Sequence, residues 1–243
     1  MEVSGNGDIV VAEVSEPCSV GVDRFDERIV DGSYFSSAPL EIEPGDVVGV
    51  LLLNLGGPRK SEDVAPFLYN LFMDPAIIDI PLKGRLRHLV ASLISRLRAK
   101  KVGDDYRRVD PSGGSLINAL TEEQAAALEQ QLNRRFAKEE VTFRTFIAMR
   151  YWHPFTHDVA EEVKAWQPDE TVLLPLYPQF STTTTGSSLK AWRDGGGGEA
   201  RTICCFPAQP DFIAAHARLI REAWEKADRP DPENVRVLHS AHG

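Results

Sequence analysis

The chain has 243 residues, of which 42% are hydrophobic and 26% are charged, and its formal net charge is −9. This composition is typical of a globular protein with one large domain or two modest ones. No apolar run is long enough to cross a bilayer, and no basic patch with interleaved aromatic residues indicates a nucleic-acid partner. The three cysteines, Cys18, Cys204 and Cys205, form neither a disulfide framework nor a Cys-x-x-Cys motif, which favours a reducing, cytoplasmic setting.

The acidic residues are concentrated at the N-terminus. Residues 1–46 contain eleven Asp or Glu and two Lys or Arg, so they account for the whole net charge and residues 47–243 are neutral. The segment is rich in Gly and Ser and lacks helical or alternating periodicity, which predicts a poorly ordered extension. It has the pattern of neither a signal peptide nor a transit peptide.

From Val47 onward, strand-like and helix-like segments alternate, which is the signature of a parallel sheet with helices on its faces. We therefore predict an α/β fold. The predicted strands are Val47–Leu55, Thr142–Arg150, Thr171–Tyr177, Ala200–Phe206 and Asn234–Ser240. The predicted helices are Ser61–Phe72, Lys83–Arg98, Thr121–Phe136 with a capping box at Thr121, His157–Trp166 and Asp211–Ala227.

Two glycine-containing segments have the composition of ligand-binding turns. Leu53-Asn54-Leu55-Gly56-Gly57-Pro58 ends the first strand in a tight turn, but it matches neither nucleotide-binding glycine motif. Tyr106-Arg107-Arg108, followed by Ser112-Gly113-Gly114-Ser115, combines cations with a loop whose N–H groups could bind an anion. The alternative for the second segment, which sequence statistics favour, is a basic helix end followed by an ordinary glycine loop.

Further segments lie at or after predicted strand ends. In Arg150-Tyr151-Trp152-His153-Pro154, the proline favours an extended His153, so His153 and His157 are not a helical metal-binding pair. The strand end Leu174–Phe180 leads into Ser181–Ser188, a hydroxyl-rich segment that either caps a helix and binds a carboxylate or is a simple loop. The run Asp194–Glu199 is predicted to be a flexible surface connection.

Taken in order, these segments and the terminal Ser240-Ala241-His242-Gly243 resemble the ferrochelatases, the enzymes that insert ferrous iron into a porphyrin to make haem. The resemblance runs from about Val47 to Gly243. It implies two similar Rossmann-like lobes, each an open parallel sheet flanked by helices, that face each other across a porphyrin cleft. On this interpretation residues 1–46 are an acidic extension, 47–232 are the first lobe, and 233–243 are the opening strand of a second lobe.

The resemblance also implies roles for individual residues. His242 matches the family's active-site histidine, which serves as proton acceptor or metal ligand and whose partner is a glutamate of the second lobe. The family's Gly-Gly-Gly-Ser-Pro is replaced by Ser112-Gly113-Gly114-Ser115-Leu116, and Asp110-Pro111 is an apparent insertion before it. The residues implied to bind the porphyrin are Arg98, Tyr106, Ser115, Arg150, Tyr151 and Thr183.

Porphyrin, either protoporphyrin IX or coproporphyrin III, and ferrous iron are the implied substrates. No tightly bound cofactor and no iron–sulfur cluster are expected. The amphipathic stretch 83–98 corresponds to the family's pocket lip, which meets the membrane in some members, or else it is a helix whose apolar face packs on the core. We therefore expect a cytoplasmic protein with a possible peripheral membrane contact.

Three functional hypotheses follow. The first is a ferrochelatase that is incomplete and inactive as this chain, because the second lobe's glutamate has no counterpart in it. The second is a non-catalytic module that binds porphyrin or haem. The third is an unrelated α/β metal hydrolase that uses His239 and His242, which requires carboxylate ligands at other strand ends that the predicted strands do not offer.

Overall fold

The computed structural model describes residues 42–75, 77–78 and 84–238, so most of the acidic extension and His242 lie outside the described residues. The described sheet has four parallel strands in the order β2-β1-β3-β4. This confirms the predicted α/β fold with an open parallel sheet. The strands are β1 (Val47–Asn54), β2 (Thr142–Met149), β3 (Glu170–Pro175) and β4 (Arg201–Thr202).

The central strand β1 is apolar on both faces because helices cover the sheet on each side. Leu51 and Leu53 pack against α4 (Thr156–Trp166) and α5 (Ser187–Asp194) on one face. The alternate residues of β1 pack on the other face against α3 (Ile117–Arg135). The remaining helices are α1 (Val64–Met73), α2 (Gly84–Val109) and α6 (Pro210–Lys226).

The described residues before Val47 contact the sheet and its helices. Ile42 packs against the cluster beneath α3, and the backbone N–H of Gly45 donates to the carbonyl of Glu139 at 3.1 Å. The last residues of the acidic segment are therefore in contact with the lobe. The division of the chain into extension, first lobe and second-lobe strand stays a prediction.

The start of α3 differs from the predicted capping box at Thr121. The helix begins four residues earlier, at Ile117, and Thr121 is buried within it. The Thr121 hydroxyl donates to the carbonyl of Ile117 at 2.7 Å and accepts from the Asn54 side chain at 3.0 Å. Threonine at this position therefore joins α3 to the end of β1 instead of capping the helix.

The predicted fifth strand, Asn234–Ser240, is not formed in its described part. Pro232–Asn234 form a 3-10 turn, and residues 235–238 pair with no strand. The outer strand β4 is also shorter than predicted, because it spans only two residues instead of Ala200–Phe206. A two-residue edge offers too few backbone groups for a further strand.

The glycine run after α5 packs closely against Trp192, whereas the sequence predicted a flexible surface connection. A Cβ on Gly197 would lie 2.1 Å from the Trp192 ring, so only glycine allows the chain to pass there. The Trp192 indole N–H donates to the carbonyl of Gly198 at 3.1 Å. The run thus closes the core over a buried tryptophan.

Helix α2 packs on α1 through small residues and leaves its leucines exposed. Ala91, Ser95, Ala99 and Gly103 recur every four residues, and such a row lets two helices approach closely. The opposite face carries Leu86, Leu89, Leu93 and Leu97, which are 52–71% exposed. The alternative of a leucine face packed on the core is therefore wrong for these four residues. Among the described residues, no helix combines the length and apolar character that crossing a membrane requires.

Candidate functional site at the carboxyl edge of the sheet

The segments that follow β1, β2 and β3 lie side by side at one edge of the sheet. The backbone N–H of Arg150 donates to the carbonyl of Asn54 at 2.9 Å, and that of Tyr151 to Leu55 at 3.0 Å. The N–H of Leu176 donates to the carbonyl of Leu53 at 2.8 Å. Because these are carboxyl ends of parallel strands, this edge is where an open α/β sheet presents its binding residues.

The loop containing Ser115 is docked on the turn after β1. A Cβ on Gly57 would lie 2.5 Å from the Cβ of Ser115, so the close approach requires glycine. The backbone N–H of Ser115 donates to the carbonyl of Pro58 at 2.7 Å. These contacts place Ser115 at the carboxyl edge, next to the end of β1.

The N–H groups of this loop already have acceptors within the chain. The side chain of Asp110 accepts from Ser112 at 2.7 Å, its carbonyl accepts from Gly113 at 2.8 Å, and the Ser112 hydroxyl accepts from Gly114 at 3.2 Å. The hydrogen bonds from Ser112 lower the pKa of the Asp110 carboxyl. The backbone N–H groups of Ser112–Ser115 therefore already have acceptors within the chain, and the interpretation that they bind an anion is wrong.

A buried carboxylate, Asp74, lies where α1, β2 and α5 meet. Its Oδ2 accepts hydrogen bonds from Arg150 Nη2 at 2.6 Å, the Tyr151 hydroxyl at 2.7 Å and the Ser187 hydroxyl at 2.6 Å. Arg150 Nε also donates to Ser187 Oγ at 2.7 Å. Charge-assisted bonds of this kind hold side chains in one conformation. We call these four residues the Asp74 network.

Two tyrosines at this edge are held in the protonated form. Burial is the main cause of the raised pKa of Tyr151, and the adjacent Asp74 raises it further. Burial likewise raises the pKa of Tyr177 to about 12, although a hydrogen bond with Ser188 and the positive charge of Arg150 lower it in part. Both hydroxyls are therefore hydrogen-bonding groups and not bases near neutral pH.

Comparison with known proteins identifies the family of the chain. The sequence profile of the Ferrochelatase family matches residues 47–243. The chain belongs to the ferrochelatase family. It is 55% identical over 199 residues to the ferrochelatase of Hyphomonas neptunium, which corresponds to 82% of this chain and 54% of that protein. It is 52% identical over 198 residues to the ferrochelatase of Caulobacter vibrioides strain NA1000 / CB15N, 81% of this chain and 55% of that protein. The chain thus spans about half the length of the curated relatives it matches.

Four of the six predicted porphyrin-binding residues border a single apolar cluster at the carboxyl edge of the sheet: Arg98, Tyr106, Arg150 and Tyr151. The cluster joins α1 and α2 to the ends of β1 and β2, and it includes Tyr151 and the half-buried Tyr106. The Arg98 guanidinium lies 6.0 Å from the centre of the Phe72 ring in the same cluster. Arg98 and Tyr106 both lie on α2, which continues to Val109 and not only to the predicted Arg98.

Tyr151, which the resemblance implies to bind the porphyrin, is buried. It is only 1% exposed and its hydroxyl is bound to Asp74, so its ring is not available to lie against a porphyrin in this structure. Arg150 lies next to it, with the guanidinium 4.8 Å from the centre of the Tyr151 ring and 26% of the side chain exposed. Arg150 is therefore the accessible member of the pair.

Thr183 follows β3 at the same edge, in a π-helical turn, Thr182–Gly186, that leads directly into α5. The Ser181 hydroxyl accepts from the backbone N–H of Thr183 at 3.3 Å and lies 2.8 Å from the Thr183 hydroxyl. The hydroxyl-rich segment thus caps a helix, as one of the two interpretations had it. The helix itself, Ser187–Asp194, was not predicted.

A cavity of about 500 Å³ adjoins the Asp74 network. Of the six predicted porphyrin-binding residues, it is lined by Arg150 and Tyr151 only. The Tyr69 hydroxyl and His88 Nδ1, 2.6 Å apart, join α1 to α2 at its wall. The other polar lining residues include Asn70, Thr156, His157 and Asp194.

Three residues of this site were missed in the sequence. Asp74 follows the end of α1, and no local pattern indicates a role for it, because its partners lie 76, 77 and 113 positions further along the chain. Ser187 and Tyr177 stand within motifs that carry the family resemblance, so a residue-by-residue comparison could have found them. Within the described part of the chain, no three His, Cys, Asp or Glu side chains are grouped to hold a metal ion.

Proposed function

We propose that this chain provides a porphyrin-binding lobe for the insertion of ferrous iron into a porphyrin, protoporphyrin IX or coproporphyrin III. The observation that carries the proposal is the family match over residues 47–243, together with matched site residues at the carboxyl edge of the sheet. Insertion replaces two pyrrole protons with Fe²⁺ and releases both protons. A proton acceptor and a route for the ion are therefore needed.

His242 is proposed as the proton acceptor or iron contact. It matches the family's active-site histidine in the segment Ser240-Ala241-His242-Gly243. An imidazole exchanges protons near neutral pH and also binds ferrous iron, so it suits either role. The residue lies outside the described residues, and its role is supported by the sequence match.

Arg98 is proposed as the main cation for a porphyrin propionate. It is exposed, and among the described residues no carboxylate lies within ion-pair distance of it. Arg150 differs, since its charge is already compensated by Asp74 at 2.6 Å. The half-buried Tyr106, eight residues from Arg98 on α2, supplies ring surface and a hydroxyl group at the same edge.

For the 243 residues by themselves, we propose porphyrin binding without iron insertion. The matched residues correspond to 54–55% of the length of the relatives, and the resemblance assigns the histidine's carboxylate partner to the other lobe. This agrees with the alternative of a non-catalytic binding module. The two hypotheses differ in what happens when this sequence is extended by a second lobe from a relative: a ferrochelatase gains activity and a binding module does not.

The test is a fluorescence titration of protoporphyrin IX with the purified chain, followed by an anaerobic iron-insertion assay. We expect saturable one-to-one binding that Arg98→Gln weakens, and no insertion. The exposed ion pair Arg59–Glu122 supplies a matched control, Arg59→Gln, which should bind as the wild type does. Absence of saturable binding would refute the proposal, and insertion that His242→Ala abolishes would refute the claim of inactivity.

The exposed leucines of α2 are proposed as a peripheral membrane contact. Leu86, Leu89, Leu93 and Leu97 form one apolar row, flanked by basic residues such as Arg85 and Arg96. Such a helix inserts its apolar row into the headgroup region of an anionic bilayer. The chain should co-sediment with phosphatidylglycerol vesicles, and Leu89→Ser with Leu93→Ser should abolish this. Equal sedimentation of wild type and variant would exclude the contact.

A further inference from the structure

Asp74 has the surroundings of a residue that organises a site. It is 6% exposed, and three different side chains donate to one of its carboxylate oxygens at 2.6–2.7 Å. Its backbone carbonyl also accepts from Ile77 at 3.2 Å and Ile78 at 3.1 Å, at the start of the connection to α2. Asp74 therefore contacts three segments of the chain: the connection that leads to α2, the residues that follow β2, and the start of α5.

Arg150 is held through two of its donor groups. Nη2 donates to Asp74 and Nε to Ser187, which itself donates to Asp74, so the three side chains form a closed ring of hydrogen bonds. Among the described residues, the remaining amino group, Nη1, has no hydrogen-bond partner. The side chain lines the cavity beside the network. One edge of the guanidinium is thus fixed, and donor capacity remains for a ligand.

We propose that Asp74 is a positioning residue for porphyrin binding: it fixes Arg150 so that the free amino group of the guanidinium receives a porphyrin carboxylate. This inference rests on the proposed function. An arginine that is held before the ligand arrives loses less side-chain entropy on binding than a mobile one. Compensation by Asp74 also means that Arg150 attracts anions weakly at long range, so its contribution depends on its orientation.

A purely structural role explains these contacts less well. Burying an ion pair carries a desolvation cost, and apolar side chains of similar volume often stabilise a core as well or better. In the Asp74 network, two hydroxyl groups and one guanidinium converge on the same oxygen. Desolvating these groups costs free energy that apolar side chains filling the same space would not cost. Orientation of an accessible guanidinium accounts for that arrangement.

The first arm of the test reads the position of Arg150 without porphyrin. In a chain labelled with ¹⁵N-arginine, the Arg150 Nε–H signal is assigned by its loss in Arg150→Lys. We expect it to be sharp and protected from solvent exchange in the wild type and in Glu122→Gln, and broadened or exchanging in Asp74→Asn. An unchanged signal in a folded Asp74→Asn chain would overturn the inference.

The second arm measures affinity for protoporphyrin IX and for its dimethyl ester. If Asp74 positions Arg150 for a carboxylate, Asp74→Asn weakens binding of the free acid roughly tenfold, as expected for one charge-assisted hydrogen bond, and leaves the ester unaffected. An equal loss for both ligands, or no loss for either, would overturn the inference. The double variant, Arg150→Met with Asp74→Asn, should bind the free acid no more weakly than Arg150→Met alone, because both substitutions act through the same contact.

The double variant also covers a failure to fold. Asp74→Asn alone leaves Arg150 without its counter-charge, whereas the double variant removes both charges and should fold. If Asp74→Asn does not fold, the same expectation is tested with Ser187→Ala, which removes one of the two groups that fix Arg150. A wild type that binds neither ligand contradicts the proposed function and the inference together, whereas a binding wild type with an indifferent variant overturns the inference alone.

Discussion

The two arginines at the carboxyl edge have different surroundings, although the family resemblance gave them the same role. Arg150 lies in the buried junction of α1, β2 and α5, and its charge is compensated by Asp74. Arg98 lies on the solvent-exposed part of α2, near the Phe72 ring and close to the exposed leucines. We therefore expect the two arginines to contribute differently to ligand binding: Arg150 through its fixed orientation and Arg98 through its uncompensated charge.

The same contrast holds for the two regions as a whole. In the junction, the side chains of Asp74, Tyr151 and Ser187 are nearly inaccessible and hydrogen-bonded to one another. On α2, the face toward α1 is built of small residues and the outer face is apolar and uncovered. Substitutions in the junction should therefore affect stability, and substitutions on the outer face of α2 should affect only what the lobe binds.

The largest expected effect separates the junction from a surface ion pair. Asp74→Asn should lower the free energy of unfolding by about 2–4 kcal/mol, somewhat less than for a fully buried pair because Arg150 is partly exposed. Glu122→Gln breaks an exposed pair with Arg59 and should cost less than about 1 kcal/mol. Urea denaturation monitored by circular dichroism measures both. Equal losses of unfolding free energy for the two variants would show that the junction stabilises the fold no more than an exposed ion pair does.

A smaller effect distinguishes the two faces of α2. Ala91→Leu adds volume to a fully buried position against α1 and should destabilise the lobe by about 1–3 kcal/mol. Leu93→Ser, on the exposed row, should change the stability by no more than about 0.5 kcal/mol. Thermal unfolding of the two variants side by side provides the measurement. A large loss of stability from Leu93→Ser would mean that the leucine row is buried in solution.

A further effect appears only at alkaline pH and is absent under ordinary conditions. The pKa of Tyr177 rises from 10.0 to about 12 on folding, so the folded chain keeps a proton that the unfolded chain loses above pH 10. The stabilisation is therefore complete below pH 10 and is lost as the pH rises toward 12. Tyr177→Phe should flatten this decline in unfolding free energy. It should also remove one late-titrating tyrosine from the absorbance at 295 nm, and an unchanged titration would contradict the assignment.

Much of the fold was predictable because local patterns determine it. Strands β1 to β3 and helices α1, α4 and α6 agree with the sequence to within a few residues, since apolar runs, capping residues and turns mark their ends. Helix α5 was not predicted, because its Ser- and Thr-rich start is typical of a loop. Its formation depends on packing of Leu189 and Trp192 against the sheet, which the sequence does not reveal.

The family resemblance named some residues of the candidate site, but not the contacts that join them. The resemblance supplied Arg98, Tyr106 and Arg150, and these residues do border one cluster. It could not supply Asp74, because a buried carboxylate is recognised by its partners, and these lie far away in the sequence. Nor could it reveal that Tyr151 is buried, since burial depends on how α1 and α2 cover the strand ends.

The placement of the porphyrin site is tested most directly by mapping porphyrin binding onto the backbone through amide chemical-shift changes in the ¹⁵N-labelled chain. We expect protoporphyrin IX to shift the amides of Gly57, Ser115, Trp152 and Thr183 and those of α2 near Arg98, all at the carboxyl edge of the sheet. We expect no change at the opposite edge, for example at Glu139 or Gln167. Saturable shifts confined to that opposite edge, or no shifts at any porphyrin concentration, would contradict the placement of the porphyrin site.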